Sequence, residues 1–177
     1  MPNQTPSIVF RREVDMYEPL LSFFSGVGLA VAEVPFFGKR IDLLFGTPSL
    51  LSLYAVETKL HDWRSAFKQA ALNQLAAQKS YIAVPWKLAT SLAEREEDLF
   101  HRYDVGLIGV AEFAEIFIPP KKNGCFSLRH YRVLKDTLKK TQHMKPKKIG
   151  VVADAIADRS KALVILQTRA DKGKGTL

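Results

Sequence analysis

Three charged residues stand inside two runs that are otherwise apolar. Asp42 interrupts Arg40-Ile41-Asp42-Leu43-Leu44-Phe45, and Glu57 and Lys59 interrupt Leu53-Tyr54-Ala55-Val56-Glu57-Thr58-Lys59-Leu60. Runs apolar on both faces belong to strands at the centre of a covered sheet. A carboxylate or ammonium taken into such a place without compensation costs several kcal/mol, so a fold that keeps three there usually holds a metal ion or an anionic substrate among them. A site that cleaves phosphodiesters needs the same grouping of charges.

The chain has 177 residues, 47% of them apolar, enough for a single domain with one sizeable core. The lone cysteine, Cys125, has no intramolecular disulfide partner, and the opening Met-Pro-Asn-Gln-Thr-Pro lacks the basic and apolar regions of a secretory signal. The longest apolar tract, Leu43 to Val56, is broken by Gly46, Thr47 and Pro48 and is too short to span a bilayer. The expectation is a soluble, cytoplasmic protein with no membrane partner.

Residues 121–148 carry ten Lys or Arg against one acid, Asp136, which accounts for more than the whole net charge of +8. A basic segment in an otherwise balanced chain fits a polyanion, because each neutralised phosphate releases condensed counterions. It also fits a merely solvated basic face.

Apolar residues at three- and four-residue spacing predict a helix over Arg11 to Ser25. Strands follow at Leu29–Val34, Arg40–Phe45 and Leu51–Leu60, with turns at Gly38-Lys39 and Thr47-Pro48-Ser49. Asp62 is placed to cap a helix over Trp63–Gln78, and a strand at Ser80–Pro85 comes next. A helix over Leu88–Phe100 and strands at Asp104–Val110 and Ala114–Ile118 complete the pattern. Beyond Pro120, Tyr131–Gln142 reads as a basic helix, Gly150–Lys161 as another, Ala162–Thr168 as a helix end or strand, and Asp171–Leu177 as a frayed tail. This order gives an α/β or α+β fold with a mixed central β-sheet flanked by helices.

Residues two apart in a strand face the same way about 6.6 Å apart, so Glu57 and Lys59 are expected to project together. Asp42, from the neighbouring strand, would share a divalent cation with Glu57. Hard oxygen ligands favour Mg2+ or Mn2+, and His61, His101, His130 and His143 are too scattered to offer another metal site. Such an ion would lower the pKa of its water and polarise the scissile phosphate, with Lys59 holding the water or a nonbridging oxygen.

Asp42, fourteen intervening residues and Glu57-Thr58-Lys59, all on predicted strands, resemble the PD-(D/E)xK, or restriction-endonuclease-like, nuclease superfamily. Arg40-Ile41 precedes the first acid, so the proline of the family's name is absent. The following helix with Gln69-Ala70 and the strand Ser80–Pro85 extend the likeness, which spans residues 11 to 119. By this resemblance residues 1–120 form the nuclease core, with 121–177 a basic C-terminal extension packed on or following it. Glu13 then supplies a helix acid to the site and to a second metal ion, with Glu18 as runner-up, and Gln69 supports the active-site groups.

The function so implied is metal-dependent hydrolysis of phosphodiester bonds in DNA, most directly as an endonuclease. Asp42 and Glu57, with Glu13, would be the metal ligands, and Lys59 would stabilise charge. Lys121, Lys122, Arg129, Arg132, Lys135, Lys139 and Lys140 would grip the backbone without reading bases. A catalytically inactive relative that binds DNA in repair, replication or regulation is the alternative, and an interaction protein with an acidic partner is a third reading. RNA remains open as substrate, and so does a homodimer supplying two sites for two strands.

Overall fold

Along β4 (Lys79–Pro85), Tyr81 and Ala83 enter one core layer while Ile82 and Val84 enter the other, and β5 (Val105–Val110) divides Ile108 and Val110 from Leu107 in the same way. This two-residue alternation of apolar groups produces a sheet that must be covered on both faces. The computed structural model describes residues 8–121, 127–142 and 165–167. Its sheet orders six strands as β6-β5-β4-β3-β2-β1, with β1 at Leu29–Phe36, β2 at Lys39–Gly46, β3 at Leu53–Thr58 and β6 at Ala114–Ile118. A short β7, Ile165–Gln167, pairs outside β1. β3, β4 and β5 run parallel, and the other pairings are antiparallel.

One face is covered by a 3-10 turn, Glu13–Met16, and α1, Tyr17–Phe23, whose Met16, Leu20 and Phe24 side pack on Leu43, Phe45 and Val56. The other carries α2 (Trp63–Asn73), α3 (Trp86–Arg95) and α4 (Glu97–Tyr103) over β4 and β5. There too lies α5, Leu128–Gln142, with Leu134 and Leu138 fully buried against Leu44, Leu50 and Leu53. The basic helix thus closes part of the core. No helix among the described residues is long and apolar enough to cross a membrane.

Several boundaries differ from expectation for local reasons. The predicted helix over 11–25 is a 3-10 turn, a seven-residue helix and a second 3-10 turn. The helix capped by Asp62, which accepts from the Ser65 amide at 3.2 Å, stops at Asn73, because Gln78 is bonded through both backbone and side chain to Leu53 at the start of β3. Leu88–Phe100 is two helices, since the chain leaves helical geometry at Glu96 (φ −124°) and re-aims Phe100 onto Trp63 and Phe67. α5 begins at Leu128, three residues early, and Ile165–Gln167 is strand. The helix predicted over 150–161 and the tail 171–177, with Lys122, Cys125 and His143, lie outside the described residues.

Gly28, which turns the chain into β1, has φ +136° and lies where a Cβ would come 2.6 Å from the Gly46 carbonyl oxygen. Backbone can yield little, so Gly28→Ala is expected to lower stability by about 2 kcal/mol or more, read as a fall of roughly 4–8 °C in Tm by calorimetry.

Candidate active site

β2 and β3 pair in register only as far as Leu43 and Val56. The next pair would be Asp42 and Glu57, and there the strands separate. Beyond that point Thr58 turns both its backbone N–H and its hydroxyl onto Asp42 Oδ2, each at 2.7 Å. The two bonds fix the carboxylate's direction. Asp42 Oδ1 accepts no hydrogen bond among the described residues.

Glu57 is only 1% exposed, and its carboxylate faces α2, where Asn73 Nδ2 donates to Oε1 at 2.6 Å and Gln69 Nε2 to Oε2 at 3.2 Å. Each oxygen keeps a lone pair. Burial pushes the Glu57 carboxyl from 4.5 up to about 8, the Asp42 charge adds to the rise, and Asn73 and Lys59 oppose it. Asp42 is raised as well, by burial against the Thr58 hydrogen bonds. Two carboxyl groups that repel each other and resist ionisation are therefore held at the mouth of one fork.

Lys59 follows the end of β3, its N–H still bonded to the Ala83 carbonyl at 3.1 Å. Its ammonium reaches Glu13 Oε2 at 2.8 Å and the Thr58 carbonyl at 3.0 Å. Burial alone would lower its pKa, yet the Glu13 hydrogen bond with the Asp42, Glu13 and Glu57 charges leaves it above the usual lysine value. Lys59 and Glu57 accordingly do not project together as strand alternation predicts. Their end groups diverge, Lys59 toward Glu13 and Glu57 toward α2, while their charges still act on each other. Of the two candidate helix acids, Glu13 meets the site, through Lys59, while Glu18 is exposed.

Four contributors escaped the sequence reading. Asn73 lies one helical turn from Gln69, an i,i+4 relation that could have exposed it. Thr58 is the residue between Glu57 and Lys59. Tyr17 donates to Glu33 Oε1 at 3.0 Å, and its hydroxyl is held strongly protonated by burial and by the Asp42 and Glu33 charges. Glu33 itself has φ +56° in the middle of β1. Ala32 and Leu43 belong to the layer under α1, whereas Val34 and Ile41 belong to the opposite layer. The inward and outward phase of both strands therefore slips at Glu33 and Asp42.

The described members of the basic set singled out in the sequence, Lys121, Arg129, Arg132, Lys135, Lys139 and Lys140, make no ion pair or hydrogen bond with this fork. Leu138 lies against Gly46, four residues along β2 from Asp42 and about 13 Å away at 3.3 Å per residue, so the adjacent Lys139 and Lys140 are exposed at the far end of the strand. Lys135 stands over the Tyr131 ring, Arg129 and Arg132 are exposed on α5, and Lys121 is exposed after β6. Nearer the carboxylates are Lys39, whose charge lowers the Glu57 pKa, and Arg40, 3.5 Å from Glu33. Among the described residues no group of three or more His, Cys, Asp or Glu is placed to hold a metal ion. With Glu13 paired to Lys59 and Glu33 to Tyr17 and Arg40, Asp42 and Glu57 are the carboxylates left at the fork among the described residues.

No family model and no curated protein matches this sequence. Among solved structures, a protein of unknown function from Silicibacter pomeroyi is similar in fold, with a TM-score of 0.57 and 16% identity over 85% of this chain and 94% of that one. At that identity the likeness extends to the fold alone.

Proposed function

We propose that this chain is a divalent-metal-dependent nuclease of restriction-endonuclease-like fold that hydrolyses phosphodiester bonds in DNA. The observation that carries the reading is the pair of half-buried Asp42 and buried Glu57, mutually repelling where β2 and β3 part, with the Lys59 charge acting on both. Two carboxylates fit Mg2+ or Mn2+ because these hard ions take one or two such ligands and complete their shell with water and substrate phosphate. Asp42, through Oδ1, and Glu57 would hold the ion. A cation there would polarise the phosphodiester and neutralise charge as the bond breaks.

The chain's own residues supply orientation. Thr58 sets the direction of Asp42, and Asn73 and Gln69 set that of Glu57, so neither carboxylate must reorganise when charge develops nearby. Lys59, held charged by Glu13, sits where it can bind a nonbridging oxygen of the substrate. Glu13 acts in this scheme through Lys59, in place of the metal-ligand role the resemblance implies.

The test is to incubate the protein with supercoiled plasmid, linear duplex and branched DNA in Mg2+, Mn2+ or chelator. Metal-dependent cutting is expected, and the substrate cut fastest would name the DNA structure recognised. Tight, salt-sensitive binding with no cutting in either metal would replace the nuclease by the catalytically inactive DNA-binding relative.

A further inference from the structure

The β1–β2 hairpin closes with a two-residue turn, because Phe36 pairs with Lys39 and leaves only Phe37 and Gly38 between them. Both have positive φ, +48° and +71°, as a type I′ turn demands. Asn, Asp or Gly is favoured at the first of these positions, and an aromatic residue there carries a steric cost. Turn chemistry does not account for Phe37.

Core packing does not account for it either. The ring is 49% exposed and rests between Phe36, at 4.7 Å and 78° between planes, and His130 of α5, at 4.6 Å and 48°. These contacts fix the ring's direction and leave part of it to solvent. Exposed cations adjoin these residues along the chain: Lys39 and Arg40 directly after the turn, and Arg129 next to His130. The same strand continues into the fork, with Arg40 3.5 Å from Glu33 and Asp42 two residues further on.

An exposed aromatic ring flanked by cations is what a single nucleic-acid strand requires, since every base has a face to stack and every nucleotide a phosphate to neutralise. An acidic peptide would use the cations and gain little from the ring. We infer that the hairpin tip is a contact surface for an unpaired nucleic-acid strand, with Phe37 stacking on a base and Lys39, Arg40 and Arg129 on neighbouring phosphates. This rests on the nuclease reading only for where the strand leads, which is the fork.

The experiment measures binding of the full chain to short oligo-dT, oligo-U and a blunt duplex by fluorescence anisotropy in chelator, so that cutting plays no part. Phe37→Ala and Phe37→Asn are expected to weaken binding to one or both single strands by roughly 5- to 100-fold, leaving duplex affinity within about twofold, while Phe37→Trp retains it. Asn suits the turn, so Phe37→Asn keeps the fold, and a Tm at or near that of the wild type separates loss of the ring from loss of structure. Unchanged single-strand affinity in both variants, or an equal loss on duplex, overturns the inference. A protein that binds in this way and cuts nothing removes the nuclease reading and leaves the strand-binding tip standing.

Discussion

Glu57→Gln is expected to abolish metal-dependent cleavage, by about a thousandfold or more, and at the same time to make the metal-free protein more stable above about pH 8. The two effects share a cause. The Glu57 carboxyl in the folded chain keeps its proton to about pH 8, whereas in the unfolded chain it titrates at its ordinary 4.5. Below 4.5 both states are protonated and the group contributes no penalty. As pH rises the unfolded state releases a proton the folded state retains, so stability falls across the window from 4.5 to about 8 and the full penalty stands above it.

Glutamine is nearly isosteric and cannot ionise, so the variant should match wild type near pH 4.5 and gain on it as pH rises, by on the order of 10 °C in Tm at the alkaline end. Asn73 and Gln69 can each turn an amide to meet the new side chain. Added Mg2+ should invert the comparison. It stabilises wild type, increasingly so toward pH 8, because binding there no longer displaces a proton, and it leaves the variant unmoved. Tm scans across pH with and without Mg2+ read all of this. A variant that tracks wild type at every pH would mean that Glu57 is not strained in the absence of metal, and retained cleavage would remove it from the site.

Much of this arrangement is legible in the sequence because burial and charge conflict there openly. An acid among Ile41, Leu43 and Leu44 stands out in any apolar run, and the two-residue alternation places strands β4 to β6 within a residue or two. What sequence does not carry is the phase slip. Strict alternation would keep Ala32 with Val34 and Ile41 with Leu43 on one face, and it fails where Glu33 takes a left-handed conformation that costs about 1–2 kcal/mol for a residue with a Cβ. Nothing in Val31-Ala32-Glu33-Val34 signals it, since glycine is the residue that usually marks such a position. The Tyr17 and Arg40 contacts that hold Glu33 come from α1 and β2 and exist only once the sheet is covered.

The placement of the described part of the basic segment is likewise not legible from charge alone. Charge counting places ten cations in one stretch, but the amphipathic pattern of α5 uses Leu134 and Leu138 to close the core at the Gly46 end of the sheet. Where its lysines point is decided by those leucines. Besides Lys59, Lys39 acts on Glu57 and Arg40 on Glu33, because β2 carries them there.

Lys59→Met is the second change with a large expected effect, and its partner Glu13 makes it informative. Losing the ammonium removes the cation that acts on both Asp42 and Glu57, and cleavage should fall by about a thousandfold, since a half-buried charge aimed at a developing anion is among the largest single contributors to such reactions. Glu13→Gln leaves the ammonium in place and loses only the ion pair at 2.8 Å. Burial, which by itself lowers the Lys59 pKa, is then opposed only by Asp42 and Glu57, so the pKa must fall. Activity of Glu13→Gln should drop by about tenfold near neutrality, and the alkaline limb of its pH–rate profile should move to lower pH. If Glu13 were a metal ligand, the same substitution would weaken Mg2+ affinity and leave that limb where it was. Titrating Mg2+ at two pH values in wild type and Glu13→Gln separates the two roles: an unchanged metal dependence with a shifted alkaline limb places Glu13 on the lysine, and the reverse places it on the metal.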